Sequence, residues 1–129
     1  MNLVIASLLL TGAMPWICAG IAKAGQKNYD NHNPREWLAR QTGYRARANA
    51  AQGNCFEAFP IYAVGVLLAF YTEVPQDEID LYASLFVAAR VAYVALYISD
   101  QDKLRSLAWL VGVICTVGLY IASMGSMAS

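Results

Sequence analysis

The chain has 129 residues, enough for a single domain. Hydrophobic residues make up 58% of it and charged residues only 14%, against roughly a quarter charged in an ordinary soluble domain, so the composition points away from a soluble globule. Nine basic residues balance nine acidic ones, which leaves no basic footprint for a nucleic-acid partner.

Residues 2–22 carry no charge and are long enough to cross a bilayer, which takes about 20 apolar residues. A cleavable signal peptide is the rival, because Ala22-Lys23-Ala24 resembles a cleavage site. Against it, the segment lacks a basic leading region and its apolar part is too long. Pro15 is expected to kink this helix by removing one backbone donor. Residues 23–35 are polar, and Asn33 before Pro34 is expected to cap a helix with proline at its first position.

That second helix is expected over 34–71. At about 1.5 Å per residue it is too long for the bilayer alone. Its first third should stand in the aqueous phase, with Arg35, Arg40, Arg45 and Arg47 near the headgroups, and Gly43 or Gly53 is where it would break. An acidic turn over 72–80 holds four acids and no base. The third helix is expected over 79–98, apolar apart from Arg90 and several tyrosines, and the fourth over 104–124. In the fourth, Ala108 and Gly112, then Gly118 and Ala122, have the spacing of small residues that lets membrane helices approach closely.

Six of the nine basic residues fall between Lys23 and Arg47. The positive-inside rule puts that region in the cytoplasm and the termini on the other side. The expected fold is therefore all-α: a single multi-pass integral membrane domain over 1–129, a left-handed up-down four-helix bundle. Cys18, Cys55 and Cys115 show no paired spacing, so neither a disulfide framework nor a CxxC metal site is indicated. With His32 the only histidine, no metal site is expected, and a Ser-His-Asp triad has little support.

Charge inside the spans carries the functional signal. Arg47, Ala50, Asn54, Glu57 and Ile61 share one helical face. Glu57 lies roughly 15 Å beyond Arg47, and Arg90 roughly 12 Å before the end of the third helix, so the two meet at similar depth. Arg90, Tyr93 and Tyr97 also share a face, and Arg105 opens the fourth helix at the same boundary. Intramembrane charges usually face a bundle interior or a wet site. The bland alternatives are a Glu57–Arg90 pair that only holds the bundle together, interfacial belting for the tyrosines and a headgroup anchor for Arg105. A pocket of arginines, a carboxylate, an amide and tyrosines suits a small zwitterionic or anionic solute.

The run Asn54-Cys55-Phe56-Glu57-Ala58-Phe59-Pro60 resembles the N-x-x-E-x-x-P motif of the MAPEG family, the membrane-associated proteins in eicosanoid and glutathione metabolism. Ala89-Arg90-Val91-Ala92-Tyr93 with Tyr97 resembles that family's A-R-x-x-Y-x-x-x-Y, and Arg105-Ser106-Leu107-Ala108-Trp109 its R-S-x-x-[W/Y]. The chain looks like a small, bacterial-type member. The resemblance implies a homotrimer with glutathione as co-substrate, bound between subunits at the cytoplasmic side. On it, Arg47, Gln52, Asn54, Glu57, Arg90, Tyr93 and Tyr97 are the binding candidates. Glu57 would take the α-amino group, and Arg105 would stabilise the attacking thiolate. The chain departs from the pattern at Ala50, where the family often has a second arginine. A carboxylate anchor is then missing unless Arg45 or Arg47 reaches inward.

Three functions follow from these residues. The first is a membrane glutathione-dependent transferase, with hydroperoxide reduction as an extension, acting on hydrophobic electrophiles drawn from the lipid. The second is a non-catalytic lipid- or partner-binding protein on the same scaffold, which Ala50 favours. The third is a small transporter subunit with Glu57 and Arg90 on a solute path, against which stands the lack of interrupted-helix signals.

Overall fold

The computed structural model describes residues 1–128. Five helices run in chain order: α1 (Asn2–Lys23), α2 (Pro34–Ala39), α3 (Gly43–Tyr71), α4 (Gln76–Ile98) and α5 (Asp102–Ala128), with no strand among the described residues. All but α2 are long and apolar enough to cross a membrane. They pack as a four-helix bundle in which α3 and α4 each touch both α1 and α5.

The distribution of polarity is that of a protein whose solvent is lipid. Leu9 and Leu67 are 74% and 62% exposed, whereas Arg90 is 2% exposed and Ser7, Thr11, Thr116 and Ser123 are buried. Buried hydroxyls are satisfied locally, as a bilayer requires. Thr11 donates to Ser7 O, Thr116 to Gly112 O and Ser123 to Leu119 O. Ser7 also shares a 2.7 Å hydrogen bond with Tyr62, joining α1 to α3. The Tyr62 ring stacks on Phe86 of α4 at 3.7 Å between centroids. Close approach of α4 and α5 depends on Gly118, where a Cβ would run into the Tyr82 ring.

The single helix expected over 34–71 is instead two. The break falls at Arg40–Thr42 and the chain re-enters helix at Gly43 with φ +62°, a conformation glycine adopts without a Cβ penalty. Gly53 remains helical. The break sits where water can satisfy freed backbone groups, while Gly53 lies within a span, where breaking the ladder is costly. Pro34 does open α2, but the Asn33 side chain makes no capping bond and turns back to Asp30. Asp30 accepts the His32 and Asn33 amides at 2.9 and 3.4 Å, and the His32 bond leads in holding its carboxyl below the ordinary range. In α2, Glu36 pairs with Arg40, and Trp37 and Leu38 tuck under α1 and α3 beside Ala22 and Ala48. Helix α1 runs unbroken through Pro15. The two later helices begin and end a little beyond the expected spans, at Gln76 and at Asp102–Ala128.

Candidate functional site

Asn54 and Glu57 project from α3 toward a cavity of about 270 Å³ that α4 closes with Phe86 and Arg90, and α5 with Trp109, Gly112, Val113, Thr116 and Val117. Ala58 and Ile61 complete the α3 wall. Asn54 and Glu57 reach it together because three residues of helix bring a side chain back to nearly the same face. Trp109, Gly112, Val113 and Thr116 repeat on α5 with the same logic. Being uncharged, they do not stand out within an apolar span, although their i, i+3, i+4, i+7 spacing marks one face.

Arg90 is the centre of the polar end. Its Nη2 donates to Asn54 Oδ1 at 2.9 Å and to Cys55 Sγ at 3.4 Å. Its guanidinium lies over the Tyr93 ring at 4.3 Å. Tyr93 meets Tyr97 edge to face at 5.6 Å, and Arg105 covers the Tyr97 ring at 4.1 Å. A ladder of cation, two rings and cation thus runs from the cavity to the start of α5. Each cation–ring contact contributes about 0.5–2 kcal/mol, according to how dry it is. Tyr93 is buried and Tyr97 half-buried, so both belong to this ladder more than to an interfacial belt.

The Glu57–Arg90 ion pair, the bland alternative, does not form. Among the described residues the one ion pair is Arg40–Glu36, and Glu57 is exposed with neither hydrogen bond nor counter-ion. The physical reason is that Arg90 lies deep, with Asn54 and Cys55 as acceptors, while Glu57 stands at the outer rim of the same cavity. Nor does either candidate arginine replace the cation missing at Ala50. Arg45 donates to Ala22 O at 2.8 Å and Arg47 to Ile98 O at 2.9 Å. Each guanidinium caps the carbonyl end of a neighbouring helix, a favourable place for positive charge. Gln52 lies about 160° around α3 from Asn54 at 100° per residue and is not part of the cavity wall. Among the described residues no three His, Cys, Asp or Glu side chains cluster as metal ligands.

The arrangement offers a buried guanidinium without a carboxylate, a free carboxylate within the same cavity, and an apolar wall of Ile61, Phe86, Val113 and Val117 beside them. Such a site suits a ligand with both charges and an adjoining apolar partner. No curated protein matches the chain. Compared with models of protein families, residues 3–125 match the one described as the MAPEG family. With that match covering nearly the whole length, together with four helices long and apolar enough to span a membrane in one bundle, the chain belongs to the MAPEG family, whose members generally use glutathione.

Proposed function

We propose that the protein is a membrane glutathione transferase, with hydroperoxide reduction as a related activity, joining the glutathione thiolate to hydrophobic electrophiles that arrive through the lipid. One observation carries the reading: Arg90 is 2% exposed inside a span, lines a cavity and has no carboxylate partner among the described residues. A buried charge of this kind costs several kcal/mol unless something answers it. A glutathione carboxylate is a suitable answer, with Asn54 beside it and Glu57 available to the α-amino group. Arg105, held over Tyr97, is the cation we assign to the thiolate, and the apolar wall accommodates the electrophile. A homotrimer, with a neighbouring subunit covering the exposed Glu57 rim, and a cytoplasmic basic end complete the proposal.

The test is turnover of glutathione with an aromatic electrophile by the purified protein, beside Arg105→Ala. We expect at least a tenfold loss in the variant, since a hydrogen bond to a charged group contributes about 1.5–3 kcal/mol. Equal rates would remove Arg105 from the mechanism.

A second reading has its own support. Because Arg45 and Arg47 are committed to helix ends, nothing replaces the arginine absent at Ala50, and a non-catalytic lipid- or partner-binding role fits that loss. Calorimetry separates the two: no heat with millimolar glutathione favours this second role.

A further inference from the structure

Cys18 of α1 and Cys55 of α3 are far apart in sequence, yet the fold brings the two buried side chains together. They lie in one cluster with Met14 and Ala51, at 0% and 2% exposure. Arg90, which lines the cavity, donates to Cys55 Sγ at 3.4 Å. Cys55 is thus one side chain away from the cavity, with Cys18 in the same buried cluster. Cys115 is equally buried but sits in an apolar cluster with Val66, Phe86 and Leu119, the usual lot of a free cysteine.

We propose that Cys18 and Cys55 form a redox-active thiol pair that reduces an organic hydroperoxide dissolved in the bilayer, closing to a disulfide between α1 and α3. The burial selects the oxidant: a charged, water-borne disulfide has no path to these sulfurs, whereas a small apolar peroxide reaches the cavity from the lipid side. Cys55 Sγ attacks the terminal peroxide oxygen. The S–O bond forms, the O–O bond breaks, and the departing alkoxide, within reach of an Arg90 N–H, takes the thiol proton and leaves as an alcohol. Cys18 Sγ then attacks the sulfenic sulfur. The S–S bond forms, the S–O bond breaks, and hydroxide leaves with the Cys18 proton as water. The paired thiols lose two electrons and the peroxide gains them. The electrons come from the protein, so this step is independent of the glutathione reading and of Arg105.

The test uses full-length protein in liposomes exposed to cumene hydroperoxide without glutathione, then denatured and labelled with a maleimide. We expect the number of labelled thiols to fall from three to one, with a mass loss of two hydrogens and recovery on adding dithiothreitol. Cys115→Ser should lose both of its remaining thiols. Cys18→Ser should stop at a sulfenic acid on Cys55, tagged by a cyclic dione, while the wild type carries no such tag. Three labelled thiols after oxidation would overturn the proposal. So would loss of Cys115 instead, or disulfides only between chains. Because all readouts are taken on denatured chains, a folding defect in one variant is checked by the Cys115→Ser protein, which keeps the pair intact.

Discussion

Helices α3 and α4 stop in the same backbone motif at opposite ends of the bundle, but only at one of those ends do arginines grip the carbonyl ends of neighbouring helices. At the acidic end, the Val74 amide donates to Ala69 O and the Glu73 amide to Phe70 O, with Glu73 at φ +59°. At the basic end, the Gln101 amide donates to Leu96 O and the Asp100 amide to Tyr97 O, with Asp100 at φ +65°. Both are Schellman closures. The basic end adds two guanidiniums from the first two turns of α3, Arg45 gripping the end of α1 and Arg47 the end of α4. The candidate site lies toward that reinforced end, where Asn54 and Glu57 on α3 must keep station against Arg90 on α4. Arginines that composition alone assigns to headgroups or ligand thus serve as joints between helices.

The largest effect should come from cutting a joint. Arg47→Ala removes a charged hydrogen bond to Ile98 O and is expected to cost about 1.5–3 kcal/mol in denaturant unfolding. It should also weaken glutathione binding, since α3 loses its hold on α4 beside the site. Arg47→Lys keeps the charge without the planar fork and should recover only part of both. Unchanged stability in Arg47→Ala would mean the contact is idle and that the two ends are held alike.

How much of this was legible in the residues depends on what each feature requires. Four spans follow from long apolar runs with few charges, because a bilayer crossing takes about 20 mostly apolar residues. Asn54, Glu57 and Arg90 were legible as charge or amide where lipid should be, and the structure brings them to one cavity. The choice between Gly43 and Gly53 was not legible, since both are glycines and only depth in the membrane separates them. The meeting of Cys18 and Cys55 in one buried cluster leaves no local spacing, because it joins two helices whose relative rotation is set by packing. The destinations of Arg45 and Arg47 were hidden for a related reason: an arginine's reach spans headgroup, ligand and helix end alike, and only the neighbouring carbonyls decide among them.

The next effect sharpens the contrast by supplying a cation that serves the ligand and not the scaffold. Ala50 is exposed, on the face shared by Asn54 and Glu57. Ala50→Arg is expected to tighten glutathione binding about tenfold, or about 1.4 kcal/mol, with little change in unfolding. Calorimetry on the two proteins checks it. Identical affinities would count against a carboxylate-binding role for this face.

The smallest effect separates the two turns themselves. A non-glycine residue in the left-handed region costs roughly 1–2 kcal/mol, but replacing it with glycine also adds unfolded-state entropy worth roughly 0.5–1 kcal/mol against the fold. Glu73 has no special tolerance for that region, so Glu73→Gly should stabilise by about 0.5–1 kcal/mol. Aspartate visits it more readily, so Asp100→Gly should gain a few tenths at most. Val74, packed in the core beside Ile79, anchors the first turn in either variant, which makes the difference a backbone effect. Paired melts in one detergent measure it. If Asp100→Gly gained as much as Glu73→Gly, residue type would not govern the closures, and the basic end would carry strain that its arginines offset.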